Sequence, residues 1–183
     1  MNFKKMTICA VSAWAIAASA LAHGGATGIV KERMDAMSIM GDGIKQLVPM
    51  MQGKTEYSAA TVKAVAGEIE KHAGETLVAL FPEGSGGGSS VAKSEIWQNW
   101  PEFSEIAERL ATLSKGMGLA ADNGLMAMPK KNAAMMGGSS AMGTAPMMDS
   151  LSLEELAEMP VNAVFARVSQ TCSACHSKFR TKK

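Results

Sequence analysis

Close to its C-terminus the chain reads Cys172-Ser173-Ala174-Cys175-His176. This run constrains the fold more than any other feature. On a helix, positions 172 and 175 share a face, so both thiols aim at one target and the next residue, His176, lies beside them. The spacing is that of covalent c-type haem attachment, Cys-x-x-Cys-His. Each thiol adds to one vinyl group, and His176 supplies a neutral imidazole nitrogen to the iron as proximal ligand. The rest of the chain must then enclose a large, flat, apolar group. Two other uses of a cysteine pair fail. A redox dithiol belongs beside a βαβ pattern, and none is visible. A zinc site needs a second pair of ligands, and outside the motif the sequence offers only Cys9, His23 and His72.

The chain has 183 residues, enough for one domain with a real core. Residues 1–22 read as a secretory signal peptide. Lys4 and Lys5 form the charged start, an apolar run from Met6 follows, and Ala20-Leu21-Ala22 is an A-x-A cleavage site. The run is too short to span a bilayer comfortably, so no stable membrane anchor is expected after cleavage. Cleavage removes two lysines and no acid, taking the formal charge from +1 to one negative. Such a balance excludes the basic surface of a nucleic-acid binder. Export to the periplasm suits a haem attached outside the cytoplasm.

Four stretches carry apolar residues in steps of three and four, the period of amphipathic helices. The first, over 28–51, has Val30, Met34, Met37, Ile44, Val48 and Met51, with Gly41 in a small slot. The second has Val62, Ala66, Ile69, Ala73, Leu77 and Leu80, stopped by Phe81-Pro82. The glycine-rich segment 83–90 reads as a flexible loop. A short turn with Ile96 and Trp97 precedes the third stripe, Phe103, Ile106, Leu110, Leu113, Met117 and Ala120, for which Asn99 is the expected cap. Ser152 and Glu155 form a capping box, and Pro160 marks the start of a last helix. Its stripe is Val161, Val164, Val168, Cys172, Cys175 and Phe179, so the thiols lie on the apolar face. The economical fold is all-α, a four-helix bundle. Residues 23–183 make one haem domain. Within it, 125–150 form a long methionine-rich loop between the third and fourth helices, with seven methionines from Met126 to Met148 and no period. That stretch reads as a flexible insertion. Thioethers suit cuprous ions and adaptable partner surfaces, and both uses stay open.

Several runs carry a family resemblance. The Cys172-x-x-Cys175-His176 motif is C-terminal. Leu80-Phe81-Pro82-Glu83-Gly84-Ser85, Ile96-Trp97 leading to Phe103, Arg180 four residues after His176, and Arg33 with Met37 four later all fit one pattern. Over about 28–122 and 150–181 the chain resembles the class II c-type cytochromes, the cytochrome c-prime family. The methionine-rich insertion departs from it. The resemblance implies a four-helix bundle with one covalently attached haem c, paired as a homodimer through the first two helices. It implies Arg33 near a haem propionate, Arg180 near the haem, and Met37 at the distal position.

Met37 then decides the chemistry. A methionine sixth ligand favours ferrous haem and electron transfer. Met34 and Met40, about one turn either side, are its rivals, and core packing is the plain alternative. Arg33 has a surface salt bridge with Glu32 as its alternative, and Arg180 a solvated basic tail with Lys178, Lys182 and Lys183. His72 reads as a boundary residue and His23 as part of a loose tail. No general acid, nucleophile or substrate pocket can be argued, so the chain reads as no enzyme. The expectation is an exported monohaem cytochrome carrying single electrons between periplasmic redox proteins. The alternative is a five-coordinate, nitric-oxide-binding haem protein, with copper handling by the methionine-rich loop as a third reading.

Overall fold

A computed structural model describes residues 25–126 and 151–181. The expected signal peptide, Cys9, His23, residues 127–150 of the methionine-rich stretch, Lys182 and Lys183 lie outside the described residues. Within these, the chain forms seven α-helices and no strand: α1 (Gly28–Met51), α2 (Ala59–His72), α3 (Gly74–Val78), α4 (Glu95–Gln98), α5 (Trp100–Leu119), α6 (Leu153–Glu158) and α7 (Val161–Phe179). The four long helices α1, α2, α5 and α7 make the bundle, and α5 packs against α2, α7, α3 and α6. Among the described residues no helix is long and apolar enough to cross a membrane.

Local chemistry explains most boundaries. Ser58 caps α2 by accepting from the Thr61 amide at 3.2 Å. Ser152 and Glu155 close the expected capping box on α6. α7 begins straight after Pro160, which needs no amide donor there. Asn99 does not cap α5 with its side chain; its Nδ2 donates back to the Glu95 carbonyl at 3.0 Å instead. The second expected helix is not continuous. Gly74 has φ +58, a left-handed value that breaks the chain into α2 and α3. A Cβ at Gly74 would stand 3.3 Å from the Ala111 methyl, so the break lets the backbone pass close to α5.

The first stripe also needs correction. The core face of α1 is Ala36, Met40, Leu47, Met50 and Met51, with Arg33 on the same side. The expected stripe residues Val30, Met34, Met37, Ile44 and Val48 are only half-buried. An arginine in the core row hid that row, because a search for apolar residues skips a guanidinium. The other stripes hold, though Leu80 and Ile106 are half-buried: Val62, Ile69, Phe103, Met117, Val161, Val164 and Val168 are fully buried.

The bundle has two distinct ends. The start of the methionine-rich stretch is tied down at the start of α7. Met126 exchanges hydrogen bonds with the Asn162 side chain, and Asn123 Nδ2 donates to the Ala157 and Met159 carbonyls. Asn162 lies thirteen residues before Cys175 on α7, or about 20 Å along the helix. The insertion is rooted at the end of the bundle away from the Cys-x-x-Cys-His run.

Two glycines on α5 give a test of the packing. A Cβ at Gly116 would meet Leu156 side-chain atoms at 2.7 Å, whereas one at Gly118 would meet the Ala66 methyl at an ordinary 3.5 Å. Gly116→Ala is expected to destabilise the folded protein by about 1–3 kcal/mol through overpacking. Gly118→Ala is expected to stabilise it by up to about 1 kcal/mol through helix propensity. Paired thermal-unfolding scans check this, and equal Tm values for both variants would contradict the α5–α6 contact.

Candidate haem site

α1 and α7 touch at few points. Between them, at the end of the bundle where α7 finishes, lies a cleft of about 440 Å³. Its α1 wall is Arg33, Met34, Met37, Ser38 and Gly41. Phe81, Ile96 and Phe103 form an apolar floor, and Ser90, Val91 and Ala92 form a loop wall. The α7 wall is Cys175, His176, Phe179 and Arg180. Phe103 anchors the floor, edge-to-face against Phe81 at 4.9 Å and Phe179 at 5.6 Å, with Trp100 tilted against it at 5.6 Å.

Cys175 and His176 line the cleft directly. Cys172 does not line it; it is half-buried beside it, against the core. Neither thiol is in a disulfide. Burial pushes the Cys175 thiol up to about 11, helped by nearby Cys172, and burial also raises Cys172. Burial, and then the charge of Arg180, lower the His176 pKa. Both effects favour the neutral imidazole, the form that ligates a metal. Among the described residues, no three His, Cys, Asp or Glu side chains come together as a metal cage. The donor set is therefore two thiols and one imidazole beside an apolar slot of ligand-binding size. These residues fit a haem, and they do not fit zinc.

The α1 wall sorts the methionines. Met34 and Met37 both face the cleft, while Met40 is 5 % exposed in the core and drops out. Arg33 is 4 % exposed, which removes the surface salt bridge as its role. Its Nη1 donates to Ser85 Oγ at 2.9 Å and to the Leu80 carbonyl at 3.4 Å. Its Nη2 donates to the Ser85 carbonyl at 2.5 Å and to Ser90 Oγ at 2.6 Å. The guanidinium also lies 4.8 Å from the centre of the Phe81 ring. Burial lowers its pKa, but a guanidinium stays charged. Arg180 is exposed at the rim and pairs with Ala92 through an isolated antiparallel bridge. Lys178 pairs with Glu102 at the surface. His72 is half-buried at the end of α2 and does not line the cleft.

Sequence reasoning missed the loop wall and the serines that hold Arg33. The signal was present in Leu80-Phe81-Pro82-Glu83-Gly84-Ser85, whose last residue is an acceptor for a buried charge. Four nearby glycines made the segment read as merely flexible.

Comparison with known proteins agrees with this geometry. The family described as Cytochrome C' matches residues 28–141, more than half of the chain. A cytochrome c' of Alcaligenes xylosoxydans xylosoxydans is 26% identical over 154 residues, covering 84% of this chain and 94% of the relative. One from Pararhodospirillum photometricum is 32% identical over 113 residues, covering 60% and 86%. Among solved structures, native cytochrome c prime from Alcaligenes xylosoxidans superposes with a TM-score of 0.58 at 22% identity, covering 84% of this chain and 94% of that one. The cytochrome c' of Thermochromatium tepidum gives 0.57 at 22%, covering 84% and 95%. A nitric oxide complex of a variant of the Alcaligenes protein gives 0.57 at 23%, covering 84% and 94%. The chain belongs to the cytochrome c' family, monohaem c-type cytochromes of four-helix-bundle fold whose cofactor is a covalently attached haem c.

Proposed function

We propose that this chain is an exported monohaem cytochrome that carries single electrons between periplasmic redox proteins, and that it is no enzyme. One observation carries the reading: Met34 and Met37 share a cleft with His176. When bound, the haem supplies one-electron iron chemistry. Cys172 and Cys175 would tether it by thioethers, and His176 would offer its neutral imidazole to the iron. Met37, ahead of Met34, would offer a thioether to the iron, a soft donor that favours the reduced state. Arg180 at the rim and Arg33 under the loop place two positive charges by the cleft, suited to the haem's acid groups. The floor of Phe81, Ile96 and Phe103 keeps water out and the local dielectric low. The homodimer runs through α1 and α2. A near-neutral charge gives nucleic acid little to hold.

A second reading has an observation of its own. A structural neighbour is a nitric oxide complex. If Met37 packs without ligating, the same cleft would leave the iron open to a small neutral gas.

Two experiments test these assignments. Extraction with acidified acetone is expected to leave haem on the wild-type chain and on each of Cys172→Ala and Cys175→Ala. The double variant is expected to lose it. Loss from either single variant would remove the other thiol as an attachment point. Absorption spectra of the ferric and ferrous holoprotein, with and without carbon monoxide, test the sixth ligand. Wild type is expected to be low-spin and slow to bind carbon monoxide, and Met37→Ala high-spin and fast. A high-spin wild type that binds carbon monoxide readily would overturn methionine ligation and establish the gas-binding reading.

A further inference from the structure

The segment between α3 and α4 has every reason to wander. Gly84, Gly86, Gly87 and Gly88 lie within five residues, and the segment has no helix of its own. Two clamps nevertheless hold it. The first is Arg33, whose two Nη atoms reach Ser85 twice, Ser90 once and the Leu80 carbonyl. The second joins the segment to the chain just past His176. The Lys93 amide donates to the Phe179 carbonyl at 2.9 Å, and the Thr181 amide donates to the Val91 carbonyl at 2.9 Å. Ser90 Oγ leads from the first clamp toward the second, since it also accepts from the Ala92 amide at 3.0 Å. Between the clamps stand Ser90, Val91 and Ala92, the loop wall of the cleft.

We propose that Arg33 is a positioning residue that sets how readily a small ligand enters the cleft, by holding the Ser90–Ala92 wall against the end of α7. The role does not require contact between Arg33 and the cofactor. It rests on the reading that the cleft holds the haem, but not on which residue fills the sixth position. Geometry makes arginine the residue for it. A planar fork with separate donors can serve Ser85 and Ser90 together, whereas an ammonium is a single point. Arg33 also lies one turn before Met37 on α1, so the strap links the methionine-bearing wall to the helix that carries His176.

The test compares Arg33→Lys, Arg33→Gln and Ser90→Ala in the holoprotein. Hydrogen exchange at the Lys93 and Thr181 amides reads the strap itself, whatever the iron's ligation. Exchange there is expected to speed up about tenfold in all three variants, the factor that about 1.4 kcal/mol of local stability represents. Amides of α2 such as Val65 and Ile69 are expected to keep their wild-type protection. The carbon monoxide association rate of the ferrous protein, read by flash photolysis, is expected to rise several-fold in the same three. If Arg33→Lys restores wild-type exchange and association, charge alone suffices and the positioning role is overturned. It is equally overturned if Ser90→Ala behaves as wild type, or if Arg33→Gln changes association while Lys93 and Thr181 stay protected. Absence of haem from the wild-type protein would sink the cytochrome reading instead, and the exchange measurement would still report on the strap.

Discussion

Apolar surface on α1 and α7 that no other helix covers is the constraint on which the rest of this structure depends. α5 fills the middle of the bundle, closing against α2, α3, α6 and α7. α1 closes against α2, and a Cβ at Gly43 would stand only 2.8 Å from Val65 Cγ1. That tight side fixes where α1 can lie. The remaining side, α1 to α7, stays open by about 440 Å³. Apolar walls left to water lose about 25 cal/mol for each Å² exposed, so the open side favours a flat apolar occupant. Such an occupant would complete the core.

A buried guanidinium then shapes the loop that finishes the cleft. Burying a charge without partners costs several kcal/mol, so Arg33 has to be satisfied where it stands. Helix α1 offers it nothing, because its own carbonyls are spent on the helix. The glycine-rich segment supplies two serine hydroxyls and two carbonyls, and Phe81 supplies a ring face. Glycines at 84, 87 and 88, all at positive φ, let the backbone turn tightly enough to bring both serines to one cation. A sequence that looks built for disorder is thus ordered by one charge from another element.

That dependence explains what could be read from residues alone. α7 was legible in full, because its stripe, its proline start and its cysteines are local signals. The capping box on α6 and the stripe on α5 were legible for the same reason. The four-helix architecture followed from counting periods. The break at Gly74 was not legible, since the stripe continues through it from Ala66 to Leu77 and only the close pass against α5 demands it. The tethering of segment 83–90 was not legible either, because its partner lies some fifty residues earlier, on a different helix.

The misread face of α1 carries the more general lesson. Its clearest run of apolar residues does not point into the protein core. Met34, Met37 and Gly41 point into the cleft, while the true core row is interrupted by Arg33 and a glycine. Helix α1 has two apolar faces to serve, one toward its neighbours and one toward the cleft, offset by a single residue. Periodicity sums both, and the face without a charge wins the count. An arginine flanked at helical spacing by Ala36 and Met40 is then itself the signal, since a cation in a core row needs a dedicated set of acceptors elsewhere. Here that set is the loop, and the loop is a wall of the cleft. The residue that spoiled the apolar pattern is the one that ties the α1 wall to the end of α7.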